Sequence, residues 1–116
     1  MTTQSAPNPY RRYQTWWRYG CQDYCQDGAI IDAVYADLVA RYGENGRFYH
    51  TFDHLIAVLT DVRELPATVQ FAAWFHDVIY DPRRSDNEER SAAFAATALR
   101  QLTVPQPLIE RVAQLI

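Results

Sequence analysis

All three histidines of this chain lie in two short stretches, and one of them stands beside an aspartate in a mostly apolar run. His50 and His54 are four residues apart, whereas His76 and Asp77 follow residues 69–75, V-Q-F-A-A-W-F. A carboxylate in apolar surroundings is costly to desolvate unless it is hydrogen-bonded, paired or bound to a metal. Because His76 stands beside Asp77 and the chain contains no lysine, a divalent metal is the simplest partner for this carboxylate.

The spacing of the first two histidines is compatible with a metal site. Successive residues of a helix turn by about 100°, so His50 and His54 would share a face if their helix extends back to His50. Imidazole and carboxylate groups suit first-row divalent ions, and two histidines with one aspartate leave positions open for water and substrate. Spacing alone fits equally well with hydrogen-bonded polar residues at the margin of a helix.

Charge and hydropathy exclude several other functions. The chain carries 11 arginines against 14 acidic residues, for a net charge of −3, and its longest basic runs are the pairs Arg11-Arg12 and Arg83-Arg84. We therefore expect no nucleic-acid partner. The N-terminus lacks the apolar stretch of a signal peptide, and the apolar runs fall short of the roughly 20 residues that span a bilayer. We expect a cytoplasmic protein without a membrane partner.

Apolar periodicity predicts an all-α bundle of about five to six helices, since no convincing strand pattern occurs. The predicted helices cover Tyr10 to about Tyr19, Ile30 to Gly43, Thr51 to Leu65, Ala67 to Tyr80, Asp86 to about Leu102, and a last one opened by Pro105 and Pro107. Asp86 with Glu89 three residues later predicts a capping box. Residues 1–7 are expected to be a disordered lead, and residues 8–116 a single domain.

Cys21 and Cys25 lie in a segment without histidine or a further cysteine. A zinc site would require two more ligands at suitable spacing, and nothing in the sequence supplies a Cys-His second half. We expect both cysteines to be free thiols, as is usual in a reducing compartment.

Three motifs, taken in order, resemble the HD superfamily of metal-dependent phosphohydrolases, specifically its small bacterial HD-domain branch. They are F-Y-H-x-x-x-H at residues 48–54, F-H-D-x-x-Y-D at residues 75–81 and D-N-E-E-R-S-A at residues 86–92. The first is also similar to the first metal-site motif of the class I cyclic nucleotide phosphodiesterases. The resemblance is strongest over residues 47–93 and implies an HD-domain-like helical bundle.

The resemblance also implies roles for individual residues. His54, His76 and Asp77 would bind a divalent metal ion, with Mn, Fe, Mg, Ni and Zn all acceptable. His50 would act as the general acid that protonates the departing oxygen, while a metal-activated water attacks phosphorus. The implied substrate is a small phosphorylated molecule, either a phosphoester or a nucleotide.

Five further residues are candidates for contact with the substrate: Arg47, Tyr80, Asp81, Asn87 and Glu88. The guanidinium of Arg47 is suited to phosphate oxygens, although a solvated surface arginine is the alternative. Helix termination explains Asp81 almost as well as a site role does. For Glu88, capping and interaction with the helix dipole explain the residue equally well.

The chain departs from the HD pattern in one respect. Related proteins complete the metal site with an aspartate from a helix well downstream, but the only later aspartates here are Asp81 and Asp86. We therefore expect a domain that is incomplete at its C-terminus, with exposed apolar surface that could pair two copies in a homodimer. The missing ligand favours an alternative function, a non-catalytic helical binding or assembly module with a structural or vestigial metal site.

Overall fold

The computed structural model describes residues 11–47 and 50–116, and within these ranges the chain forms six α-helices and no strand. The helices are α1 Arg11–Cys21, α2 Gly28–Tyr42, α3 Phe52–Val62, α4 Ala67–Phe75, α5 Asn87–Gln101 and α6 Gln106–Leu115. The predicted all-α bundle is therefore confirmed. The predicted N-terminal lead, residues 1–7, lies outside the described residues. Among the described helices, none has the length and apolar character needed to cross a bilayer.

Trp17 of α1 lies at the centre of an aromatic core and is 1 % exposed. Its ring packs edge-to-face against three rings of α4, with centroid distances of 5.1 Å to Trp74, 5.9 Å to Phe75 and 6.0 Å to Phe71. The indole Nε1–H donates to the carbonyl oxygen of Ile31 in α2 at 2.9 Å. These contacts fix α1 and α2 against α4 by aromatic area and one buried hydrogen bond.

Helix α4 is the central element of the fold. It packs against α3, α5 and α6, and its last five residues, 71–75, are all buried. Contact on several sides explains why this segment of the sequence is apolar in every direction. The end of α4 therefore brings the residues that follow it to the junction of several helices.

The buried helix is shorter than the predicted Ala67–Tyr80, because α4 ends at Phe75. The hydroxyl of Tyr42 donates to the carbonyl oxygen of Trp74 at 2.9 Å and accepts from the main-chain N–H of Asp77 at 3.2 Å. It thus satisfies two main-chain groups that a continuing helix would have paired internally. The His-Asp pair consequently lies in a turn after α4, and its predicted place within the helix was wrong.

Helix α3 also begins too late in the chain for His50 and His54 to lie on one face of it. Thr51 is its N-cap, with Oγ1 accepting from the main-chain N–H of His54 at 3.4 Å. A threonine in extended geometry is a common helix start because its oxygen satisfies one of the unpaired N–H groups. His50 therefore precedes the helix, and the prediction that it shares a helical face with His54 was wrong.

The predicted capping box at the start of α5 was also wrong. Asp86 occupies the N-cap position, but its side chain makes no capping hydrogen bond. Its carboxylate instead pairs with Arg84, with 2.7 Å between Oδ1 and Nε. The ion pair holds the carboxylate away from the unpaired N–H groups of the helix terminus. Negative charge that interacts favourably with the helix dipole is supplied in the first turn by Glu88 and Glu89.

Both cysteines are buried and free, as predicted. Cys21 is the last residue of α1 and is fully buried in the core. Burial, together with the nearby Cys25, raises the pKa of the Cys21 thiol to about 12. Its packing role is that of a small apolar residue.

Candidate metal centre

His54, His76 and Asp77 converge at the junction of α3 with the end of α4. One possible ligand atom from each side chain lies within 4.8 Å of the other two. Across residues 11–47 and 50–116 this is the one group of histidine, cysteine and acidic side chains that could hold a metal ion. Helix α3 packs against α4, and His54 lies in the first turn of α3 while His76 and Asp77 directly follow α4. The three ligands predicted from the sequence are thus close neighbours.

A main-chain contact sets the orientation of the His76 ring. Nδ1 lies 2.6 Å from the carbonyl oxygen of Ala73, and because a carbonyl can only accept, Nδ1 carries the proton. Nε2 lies 3.2 Å from Oδ2 of Asp77; it donates to this carboxylate when the ring is doubly protonated and offers its lone pair to a metal ion when the ring is neutral. A ligating histidine usually donates its other N–H in this way, which fixes both tautomer and ring plane.

The carboxylate of Asp77 is shared between two imidazoles. Oδ2 lies 2.8 Å from Nδ1 of His50 and 3.2 Å from Nε2 of His76. Burial by itself would raise the pKa of Asp77, but the hydrogen bonds with His76 and His50 outweigh it and hold the pKa well below its usual range. The carboxylate is therefore ionised at neutral pH and available to a cation.

Burial and hydrogen bonding act in opposite directions on His76 as well. Burial lowers the pKa of this imidazole, while the hydrogen bonds with Asp77 and with the Ala73 carbonyl raise it, and the net shift is upward. A metal ion at Nε2 would have to compete with a proton for the same lone pair. The negative carboxylate of Asp77 stabilises a metal ion at Nε2 as well as a proton there.

The ring of His50 is held on its edge and on its face. Nδ1 contacts Asp77, and the ring stacks on Tyr80 with 3.9 Å between centroids and 25° between planes. Nε2 is the ring nitrogen that Asp77 does not engage. His50 lies beside the candidate ligands although it precedes α3; the preceding motif residues, 48 and 49, lie outside the described residues.

Arg47 is a buried structural residue, with only 3 % of its side chain exposed. Its guanidinium donates to main-chain carbonyl oxygens of two segments and to one carboxylate: Asp77 at 2.7 Å, Val78 at 2.8 Å, His50 at 3.0 Å and Glu44 at 3.0 Å. Both terminal nitrogens of the guanidinium are therefore fully used, whereas its buried Nε–H has no hydrogen-bond partner among the described residues. Arg47 ties the loop before α3 to the turn after α4, and contact with a substrate stays a prediction.

The remaining candidates lie around the chain that leaves the His-Asp turn. The side-chain amide of Asn87 pairs with the main chain of Asp81, accepting from its N–H at 3.1 Å and donating to its carbonyl oxygen at 2.8 Å. The carboxylate of Asp81 pairs with Arg83 at 3.1 Å. Glu88 is exposed in the first turn of α5, where a carboxylate interacts favourably with the helix dipole. Asn87 therefore supports the loop, and Tyr80 is the candidate that stacks on the His50 ring.

Two residues that shape the site had not been identified from the sequence. Tyr42 satisfies the main chain at the end of α4, and Ser91, which is fully buried, pairs with both main-chain groups of Ile79. A tyrosine near the end of an apolar helix carries no local sign of such a role. Ser91 does lie within the D-N-E-E-R-S-A motif, and a small polar residue on the apolar face of a helix was a signal that could have been used.

Comparison with known proteins gave no relative: no family model, no curated protein and no solved structure matched the chain.

Proposed function

We propose that this protein is a metal-dependent phosphohydrolase that acts on a small phosphoester or nucleotide. The supporting observation is the convergence of His54, His76 and Asp77, with His50 hydrogen-bonded to the same carboxylate. The resemblance of the three sequence motifs to HD phosphohydrolases implies the same division of roles.

The donor set fits a divalent cation. His54, Nε2 of His76 and the Asp77 carboxylate would hold it, and three protein ligands leave coordination positions open, as a catalytic site requires. Mixed imidazole and carboxylate ligands accept Mn, Fe, Ni and Zn, and do not select one of them. When bound, such an ion supplies an acidified water and positive charge beside the phosphoryl oxygens.

His50 is the proposed general acid. In the protonated ring, Nδ1–H donates to Oδ2 of Asp77. Nε2–H then donates its proton to the leaving oxygen as the bond from that oxygen to phosphorus breaks, which leaves His50 neutral. Uptake of a proton from solvent restores the acid.

The test separates metal binding from turnover. The purified chain is stripped with a chelator, reloaded with Mn²⁺, Mg²⁺, Fe²⁺, Ni²⁺ or Zn²⁺, and assayed against phosphomonoesters, phosphodiesters and nucleotides. We expect His50→Gln to retain the metal and lose turnover by about a hundredfold or more. Asp77→Asn should lose both. Asp61→Asn removes an exposed carboxylate of α3 and serves as the matched control.

Failure to hydrolyse any ester with any of these ions would contradict the proposal. So would metal content and turnover that are unchanged in Asp77→Asn.

A non-catalytic module with a structural or vestigial metal site is the second candidate. This candidate is favoured because the arginines near the site already bind other groups of the protein. Arg47 is hydrogen-bonded to main-chain oxygens, Arg83 is paired with Asp81, and Arg84 is paired with Asp86. Little positive charge is therefore left free for a phosphate. This candidate predicts that a divalent ion raises Tm without any hydrolysis of the ester panel.

A further inference from the structure

Two side chains of α5 bind the main chain that follows the His-Asp turn. Ser91 accepts from the N–H of Ile79 at 3.1 Å and donates to its carbonyl oxygen at 3.2 Å. One helical turn earlier, Asn87 accepts from the N–H of Asp81 at 3.1 Å and donates to its carbonyl oxygen at 2.8 Å. Each side chain thus satisfies both main-chain groups of one residue, as a neighbouring β-strand would.

The residue between these two attachment points is Tyr80. Residues 79 and 81 are each fixed through two hydrogen bonds, so the main chain of Tyr80 has little freedom to rotate. Ser91 is fully buried, and loss of its hydroxyl would leave two polar groups of Ile79 to be satisfied in another way. The main-chain position from which the Tyr80 ring projects is therefore set by α5.

The Tyr80 ring in turn covers one face of the His50 imidazole, at a centroid distance of 3.9 Å. The hydrogen bond from His50 Nδ1 to Asp77 fixes one atom of the imidazole but permits the ring to swing about that contact. Stacking fixes the plane of the ring. Arg47, which donates to the carbonyl oxygen of His50 at 3.0 Å, fixes its main chain.

We infer that α5 positions the candidate general acid: Asn87 and Ser91 hold Tyr80, and Tyr80 sets the plane in which His50 presents Nε2. This inference rests on the proposed function, in which Nε2 of His50 is the atom that donates the proton. It makes Tyr80, Asn87 and Ser91 positioning residues, and it accounts for Asn87 and Ser91 of the D-N-E-E-R-S-A motif without contact between these two residues and the substrate.

The first readout does not require activity. In the metal-free protein, stacking on Tyr80 should shift the carbon-bound ring protons of His50 upfield of those of the other two histidines in the NMR spectrum, with assignment from His50→Gln. Tyr80→Phe should keep the upfield shift, and Tyr80→Leu should abolish it. Asn87→Leu and Ser91→Ala should each reduce it, while Glu88→Gln, an exposed neighbour on α5, should leave it unchanged.

The second readout is kinetic. Misplacement of a reacting group is costly, so Tyr80→Leu should lower kcat by about tenfold to a hundredfold with KM nearly unchanged, and Tyr80→Phe should stay within about twofold of the parent. Because Asn87 is inferred to act through Tyr80, Asn87→Leu should add no further loss of kcat in the Tyr80→Leu background.

The outcomes distinguish this inference from the proposed function. Upfield-shifted His50 resonances that depend on Tyr80 and Asn87, in a protein without hydrolysis, would support the positioning and contradict the phosphohydrolase. Resonances of His50 that do not respond to Tyr80→Leu in a folded protein would overturn the inference. An equal loss of kcat in Tyr80→Phe and Tyr80→Leu would also overturn it, because the hydroxyl would then be the group that matters.

Discussion

The imidazole of His50 and the carboxylate of Asp77 are joined by a 2.8 Å contact between Nδ1 and Oδ2, although 27 residues separate them in the chain. His50 precedes α3, and Asp77 follows α4. The same carboxylate oxygen lies 3.2 Å from Nε2 of His76. One oxygen atom thus links the candidate acid to the candidate metal ligands, so that the two proposed parts of the site depend on one carboxylate.

Removal of the Arg47 side chain should destabilise the fold. Arg47→Ala deletes a buried guanidinium that donates to three main-chain carbonyl oxygens, and hydrogen bonds that involve a charged group are among the stronger ones. We expect the free energy of unfolding to fall by about 2 to 4 kcal/mol, measured by urea denaturation of the metal-free protein. Arg100→Ala, at an exposed position of α5, is the control and should change it by less than about 0.5 kcal/mol. Equal effects of the two substitutions would contradict the role given to Arg47.

The hydroxyl of Tyr42 should contribute to the free energy of unfolding, because it bonds two main-chain groups. Tyr42→Phe removes one oxygen that bonds Trp74 and Asp77, so the free energy of unfolding should fall by about 1 to 2 kcal/mol. Tyr19→Phe makes the same chemical change on a side chain that is 73 % exposed and should have almost no effect. If Tyr42→Phe is as stable as the parent, the end of α4 is set by something other than this hydroxyl.

The thiol of Cys21 should be unreactive in the folded protein. Burial raises its pKa to about 12, and only the thiolate is a strong nucleophile, so almost none is present at pH 8. In a Cys25→Ser background, a colorimetric disulfide reagent should react with Cys21 in step with unfolding across a urea titration. Rapid, complete reaction in native buffer would show that Cys21 is accessible and would contradict its place in the core.

The ion pair of Asp86 with Arg84 should appear in the acid titration of the protein. The Arg84 guanidinium holds the pKa of Asp86 at about 2, below its usual 3.8, so the stabilisation from this pair is present above pH 3.8 and is lost as the pH falls towards 2. Carboxyl ¹³C NMR should report the low pKa, and Arg84→Gln should raise it. Arg83→Gln is the control, because Arg83 pairs with Asp81 instead. A wild-type Asp86 that titrates near its usual value would contradict the pairing.

The helices could be predicted because their causes are local. Apolar periodicity marks each buried face, and the breaks at Gly43 and Pro66 lie directly at the end of α2 and the start of α4. The set of candidate ligands could be assembled from residue type and motif alone. These features depend on neighbours within one or two turns.

The features that the sequence could not predict have mainly long-range causes. The end of α4 depends on a hydroxyl 35 residues before Asp77, and no local pattern contains that contact. Likewise, the burial of Arg47 depends on carbonyl groups 30 and 31 residues later in the chain. Asp86 has the type and place of a capping residue, but a neighbouring arginine competes for its carboxylate. For α4 and Arg47 a tertiary contact overrides a local preference, whereas for Asp86 the competing contact is itself local, with an arginine two residues away.

The most direct test of the account is the location of a metal ion in a crystal of the protein grown with Mn²⁺, from the anomalous scattering of that ion. We predict one peak within bonding distance of His54, Nε2 of His76 and a carboxylate oxygen of Asp77, and its absence in crystals of Asp77→Asn. A Mn²⁺ peak elsewhere on the chain, or none at these three side chains at saturating Mn²⁺, would contradict the metal centre and the phosphohydrolase proposal with it.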